Sequence, residues 1–589
     1  MRQRRNSRLF HRDTFRRLNF ESLEPRRVLA GNVTAEVIDG DLIITGDDAA
    51  NTISVGQTDI GSYVIAWDGA PPGFVIAYNV FSAAPIEDPT WINRSFQNIE
   101  LHGVTGRIVI HAGGGDDRVT IHHVVSPFTA PGDLIIDGGA GYDYIEVGEI
   151  PQQNPLHLLG EFDPPIPGFS IASDLQIDAG DGGGNIYVRP GTIGGALQIA
   201  TGSAGSEASN SIGVAGVTAG SFSLNGGDGT ELVLIVSLST SGPVAMAMGA
   251  GNDDVQMHSL DLDGDGSIDL GAGSDRVTVM GTVSGDLTVQ GGAGSDSLIL
   301  GGETRPERSI RMVGNPFWVP PLDGGDPVST MQLGAGGPLL LDGNLTVETA
   351  GGDFLNLQHT RVVGSMSIDS GESTTPEFIR IRHVSAGETS IFAADGNDIV
   401  NIAFMTARNR LTVDLAGGDD FLSATILGFL GVGAPFPNPP IIPIATILGQ
   451  DGRDGIFLDG CYFESVCSIE AGNGDNDIVV GCSVFDSLGI SGGHGSDNIR
   501  TEFSLLRRLG VNGGQGNDNV LTRVCAIDEV FYDMGAGDDS IELFGSVVRE
   551  LADADGGAGF DTLNRRHSRI KQFNATNFEA GNDAGLLFL

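Results

Sequence analysis

Four copies of one short turn, evenly spaced near the carboxyl end, limit the folds open to this chain more than any other feature. Gly493-His-Gly495-Ser-Asp497, Gly514-Gln-Gly516-Asn-Asp518, Gly535-Ala-Gly537-Asp-Asp539 and Gly557-Ala-Gly559-Phe-Asp561 place their aspartates 21, 21 and 22 residues apart. An apolar residue follows each aspartate by two: Ile499, Val520, Ile541 and Leu563. A short fixed period with one acidic, glycine-rich turn per copy marks a stacked repeat, in which each unit rests on its neighbours.

With the aspartate as a reference slot, the same spacing extends upstream. Slots fall at Asp117, Asp143, Gly184, Glu231, Asp253, Asp275, Asp296, Asp353, Asp398, Asp420, Asp454 and Asn476, ahead of the four already named. Gaps of 45 and 47 residues hide worn copies around Phe378-Ile379 and Ile212-Gly-Val214. Other long gaps hold proline-rich insertions at 151–167, 316–321 and 428–443. Insertions of this kind leave the stack at turns, where backbone can face water.

Within a copy the apolar residues alternate. Ile110, Ile136, Val289, Val413, Ile469 and Val511 stand seven residues before their slots. Pairs such as Val119/Ile121, Val277/Val279 and Ile478/Val480 stand two and four after. Period-two alternation predicts short strands with one face inward. The 89 glycines and the β-branched residues disfavour helix. The expected fold is all-β: a right-handed parallel β-helix of about 21-residue rungs with an amino-terminal β cap. Three segments are expected: residues 1–31 as a basic targeting segment, 32–97 as the cap, and 98–589 as the solenoid.

The formal net charge is −44, from 76 acids against 32 bases, and Lys571 is the only lysine. So acidic a body repels nucleic acid and anionic lipid. Regular alternation of its 40% hydrophobic residues argues against disorder. So much carboxylate calls for a bound counter-charge, and calcium is the hard cation that oxygen ligands select. No window holds the roughly 18 uninterrupted apolar residues of a transmembrane helix. Four cysteines are too few for a disulfide framework; a bridge between Cys461 and Cys482 on adjacent rungs and buried free thiols are both open.

Residues 1–27 carry nine arginines against three acids, a net +6 that leaves −50 on the rest. No apolar run of signal-peptide length follows them. Phe20-Glu21-Ser22-Leu23-Glu24-Pro25-Arg26-Arg27-Val28-Leu29-Ala30 resembles the LEPR-XLL segment that begins many repeat-rich envelope and secreted bacterial proteins, with Val28 where that segment has leucine. The resemblance implies a secreted or cell-surface location, and with it envelope polysaccharide or other surface proteins as partners.

The Gly-x-Gly-x-Asp-x-apolar turn resembles the nonapeptide repeat of RTX-type calcium-binding proteins. That resemblance implies calcium ions between turns of adjacent coils, held by backbone carbonyls and an aspartate. Here one turn recurs per 21–22 residues rather than per nine, so a single column of sites is expected. The metal candidates are Asp117, Asp143, Asp253, Asp275, Asp296, Asp398, Asp420, Asp454, Asp497, Asp518, Asp539 and Asp561, with several calcium ions as cofactor. The best runs are Asp253–Asp275–Asp296 and Asp497–Asp518–Asp539–Asp561, while Gly184 and Asn476 lack the carboxylate. The alternative is structural, since aspartate and glycine are ordinary turn residues. Asp261-Leu-Asp263-Gly-Asp265-Gly266-Ser-Ile268-Asp269 opens like an EF-hand loop but has Ala272 at the twelfth position.

Two functional classes remain. One is a non-enzymatic calcium-binding scaffold or adhesin at the cell surface. The other is a β-helix polysaccharide lyase or glycoside hydrolase, for which Arg380-Ile-Arg382-His383 is the conspicuous group outside the turns.

Overall fold

Alternation of inward and outward residues becomes a continuous stack of strands in the computed structural model. It describes residues 32–66, 91–92, 99–123, 127–148, 168–202, 209–301 (apart from 284, 286, 293 and 295), 310–312, 317–319, 330–334, 339–341, 344–348, 354–425 (apart from 372 and 373) and 442–582. The 1–31 segment, Asp353 and the insertions at 151–167 and 428–441 lie outside these residues. The described residues contain no helix, and hence none long and apolar enough to cross a membrane.

One rung shows the construction. Strand Asn519–Arg523 turns Val520 and Thr522 inward. Val524 then takes a left-handed φ of 51° and bends the chain. Strand Ala526–Ala536 follows, with Ile527, Val530, Tyr532 and Met534 inward, and the glycine-rich corner closes the coil at Asp539. Each strand pairs in parallel with its counterparts one rung away: Asn519–Arg523 lies in register between Asn498–Glu502 and Ser540–Phe544. The chain is therefore an all-β solenoid of parallel stacked coils.

Its core is a narrow column of Val, Ile, Leu and Ala with almost no exposure. Each inward Val, Ile or Leu contributes about 1.5–3 kcal/mol by burial, so every rung adds its own increment. Column residues make their contacts with the rungs above and below, which is why a one-residue slip would invert every side chain and is excluded.

The parallel stack already includes Asp41–Thr45, paired with Ile108–His111, and Thr52–Gln57, paired with Arg118–His123. Antiparallel strands flank this first coil: Asn32–Ile38 pairs with Asp41–Thr45, and Ser62–Ala66 joins Thr52–Asp59 to Ile99–His102. Reversal of strand direction ends the run of parallel edges that would otherwise template pairing with another chain.

One sequence expectation changes here. Within the proline-rich stretch 316–321, Phe317–Val319 is a strand of the stack, in register with Leu345–Val347. The EF-hand-like stretch is a decorated turn within one ordinary rung. Asp261 and Leu262 end one strand and Gly266–Asp269 forms the next, each in register with neighbouring rungs, so its acids are strung along an ordinary corner.

Candidate metal ladder at the glycine-rich corner

Two glycine columns shape the corner. Gly514 has φ +108° and Gly516 has φ +127°. A Cβ on Gly514 would meet the Gly493 carbonyl oxygen of the rung before at 2.0 Å, and one on Gly516 would meet that of Gly495 at 1.8 Å. The same close approach recurs at Gly271 and Gly273, Gly535 and Gly537, and Gly557 and Gly559. Stacking alone therefore requires these glycines, with or without a metal.

The slot residues form a single inner column. Asp143 Oδ1 accepts the backbone N–H of Asp117 at 2.7 Å, Asp275 that of Asp253 at 2.7 Å, and Asp420 that of Asp398 at 2.7 Å. Towards the carboxyl end the ladder passes through Asp454, Asn476, Asp497, Asp518, Asp539 and Asp561 at 2.8–2.9 Å. Asp117 receives Asn51, Asp253 receives Glu231, Asp296 receives Asp275, and Asp454 receives Asp420 in the same way. All twelve candidate aspartates thus line one edge of the solenoid, each no more than 3% exposed.

Four members escaped notice in the sequence. Asn51 and Asn210 occupy slots as amides, and Glu377 and Glu579 as longer acids. Glu377 directly precedes the worn copy at Phe378-Ile379, which was the available signal. A second, outer ladder was also missed. Residues just before the slot accept the N–H of their counterparts on the following rung: Asp116 from Tyr142, Asn252 from Ser274, Asp475 from Ser496, Asn517 from Asp538. Its signal was the short polar residue preceding the slot aspartate.

The second carboxylate oxygen distinguishes this ladder from simple turn capping. Oδ2 of Asp117, Asp143, Asp253, Asp275, Asp398, Asp420, Asp454, Asp497, Asp518, Asp539 and Asp561 is buried and has no hydrogen-bond partner. An unsatisfied buried charged oxygen costs at least about 1–3 kcal/mol, so the ladder as it stands is a reservoir of unpaired polarity. Burial, opposed by the N–H each carboxylate accepts and in most cases reinforced by neighbouring acids, raises the following groups. Asp117 and Asp253 are pushed up to about 8, Asp420, Asp454 and Asp518 to about 7, and Asp143 and Asp275 to about 6. Asp296, Asp398, Asp497 and Asp539 are raised by burial as well.

The residue five positions before the slot decides what Oδ2 faces. Beside Asp143, Asp454, Asp497, Asp518 and Asp561 it is a glycine whose missing Cβ leaves a cradle. The Cβ position of Gly492 lies 2.3 Å from Asp497 Oδ2 and 2.6 Å from the Gly513 carbonyl oxygen of the next rung. At Gly513 the two distances are 2.5 Å to Asp518 Oδ2 and 2.7 Å to the Met534 carbonyl, and at Gly449 they are 2.5 Å to Asp454 Oδ2 and 2.4 Å to the Ala471 carbonyl. Gly138 beside Asp143 and Gly556 beside Asp561 repeat the arrangement. Gly46, Gly226 and Gly291 also hold this position, before Asn51, Glu231 and Asp296, whereas Asp117, Asp253, Asp275, Asp398, Asp420 and Asp539 have a buried side chain there: Ala112, Met248, Leu270, Ala393, Leu415 and Met534.

These cradles offer a hard cation the donor types it takes, a carboxylate oxygen and a backbone carbonyl oxygen. Each presents two oxygens from the chain. Among the described residues no three His, Cys, Asp or Glu side chains converge, so further ligands would be carbonyls or water rather than side chains.

The bridge between Cys461 and Cys482 is not formed; all four cysteines are thiols. Cys461 donates its backbone N–H to Ser483 Oγ, not to a neighbour in line with Cys482. Cys482 sits one residue earlier, exposed, at a left-handed φ of 49°. Cys461, Ser483, Ser504, Cys525, Ser546 and Ser568 make a column of their own across the coil, tied by N–H to Oγ bonds such as Ser483 to Ser504 at 3.2 Å and Ser546 to Ser568 at 3.1 Å.

A family model described as Planctomycete extracellular matches residues 14–33. The chain is similar to that family over this short segment alone, which ends at Val33 in the first strand. No curated protein and no solved structure matches the chain. Likeness of the corners to RTX repeats rests on the corner residues themselves.

Proposed function

We propose that this chain is a secreted or cell-surface scaffold whose solenoid is consolidated by calcium along the slot ladder, without catalytic turnover. The observation that carries the reading is the row of buried, unpartnered Oδ2 atoms, several facing a glycine cradle with a carbonyl on its far side. Asp143, Asp454, Asp497, Asp518 and Asp561 would hold the ions best, with the carbonyls of Ala179, Ala471, Gly513, Met534 and Asn577 opposite them. Bound calcium would supply the missing counter-charge and tie successive rungs. Folding would then be completed where calcium is abundant, as outside the cell. The extracellular family match at residues 14–33 supports the location.

The test is thermal melting during calcium titration, on the native chain and on the Asp497→Asn/Asp518→Asn/Asp539→Asn variant. A saturable rise in melting temperature that the variant largely loses is expected. A melting temperature indifferent to calcium in the native chain would sink the reading.

A further inference from the structure

One face of the solenoid reverses the character of the rest. Strands Phe354–Gln358, Phe378–Arg382, Ile399–Ala403 and Phe421–Thr425 stack in parallel register on successive rungs. Their outward positions include no Asp or Glu, on a chain of net charge −44. Aromatic rings stand there instead. Phe354 and Phe378 stack face to face with centroids 5.0 Å apart, and Phe421 is 40% exposed.

Arg380 and Arg382 face out from the same strand, and their side chains start about 7 Å apart by strand geometry. Neither makes a hydrogen bond or an ion pair among the described residues. Several other arginines of the solenoid are partnered: Arg500 by Asp477, Arg507 by Asp486, Arg508 by Glu529 and Arg549 by Asp528. Two unpaired guanidinium groups on a carboxylate-free patch of an acidic protein leave their fork of donors for an anion from outside.

We propose that this face binds a uronic-acid polysaccharide laid along the solenoid axis. The planar carboxylate of a uronate matches the guanidinium fork in a bidentate pair. Apolar faces of the sugar rings match the exposed phenyl rings, and the outward amides of Asn356 and Asn401 suit hydroxyl groups. Rungs recur every ~4.8 Å, close to the length of one pyranose residue, so an extended glycan meets a repeating surface. Single-stranded nucleic acid, a polyanion of comparable charge spacing, meets the same acidic body and is the competing occupant that the test excludes.

The inference stands apart from the calcium reading, and its test keeps the two separate. Binding of a trigalacturonate oligomer to the full chain is measured calorimetrically in calcium and again in chelator, with circular dichroism checking the fold in each. Saturable binding is expected wherever the chain is folded. Arg380→Ala/Arg382→Ala and Phe378→Ala should each weaken it about tenfold or more. Because all three side chains face outward, the melting temperatures should stay at the native value. No binding by the folded chain overturns the proposal, as does unchanged affinity in the arginine variant. It is equally overturned if a neutral glucan, a sulfated oligosaccharide or single-stranded DNA of equal charge binds as tightly.

Discussion

The backbone N–H of Asp497 donates to Oδ1 of Asp518 on the next rung at 2.8 Å, while Asp518 Oδ2 is buried without a partner. One oxygen of the carboxylate is structural and the other is left over. This division gives the two oxygens separable consequences under mutation.

Asp518→Asn keeps the acceptor and replaces the leftover oxygen with a donor. Asn476 already shows the result: its Oδ1 accepts the Asp454 N–H at 2.9 Å and its Nδ2 donates to the Gly474 carbonyl at 3.1 Å. In chelator, Asp518→Asn should melt at or above the native temperature, because a buried unpaired oxygen is gone. With calcium the order should reverse. Asp518→Ala strands the Asp497 N–H and should cost about 1–3 kcal/mol in both buffers, read by denaturant or thermal unfolding.

The raised carboxylates fix the sign of the pH dependence. Their folded-state values, about 6 to 8, lie above the unfolded value of about 3.9. Between those limits the folded state binds more protons, so stability falls as pH rises. Without metal the melting temperature should be highest near pH 4–5 and decline until the pH passes about 8. Calcium displaces the protons and should flatten or invert that slope. High salt, which screens surface repulsion but not the buried ladder, should leave the metal-free slope in place. A metal-free melting temperature that climbs with pH would contradict the burial of these groups.

Neighbouring glycines should behave differently. Gly514→Ala forces a Cβ to 2.0 Å from a backbone carbonyl at φ +108° and should be severely destabilising, by more than about 3 kcal/mol, with or without calcium. Gly513→Ala puts its Cβ 2.5 Å from Asp518 Oδ2 and 2.7 Å from the Met534 carbonyl oxygen, so carboxylate and neighbouring rung must shift, but without a left-handed φ and at a column position that holds Ala112 and Ala471. It should fold, destabilised less than Gly514→Ala in chelator, with a marked loss of calcium-induced stabilisation. Paired melting curves check both.

Thiol chemistry tests the offset of Cys482. In the native chain one of the four cysteines should react promptly with an aromatic disulfide reagent, and mass spectrometry should place it at Cys482. Cys461, Cys467 and Cys525 are buried, and burial raises the Cys467 and Cys525 thiols, so they should react after unfolding. Prompt reaction at Cys467 would show an open core.

Period, alternation and slot residues were enough to specify the fold, because a solenoid repeats one local pattern and each copy reports on the next. Asp497, Asp518, Asp539 and Asp561 could be read as one column from their spacing alone. Where insertions break the spacing, as before Glu377, or an amide stands in, as at Asn51 and Asn210, the column was invisible. There the register is set by pairing with other rungs, not by counting residues.

The sequence by itself determined a stack of parallel strands with an acidic corner repeated along one edge, since inward and outward residues alternate and glycine marks each turn. Only the tertiary structure decided which carboxylate oxygen is engaged, which glycines open a cradle, and that Cys482 stands beside its column rather than in it. Those outcomes depend on distances between rungs, and a residue in one rung cannot encode its separation from the next until the coils close on each other.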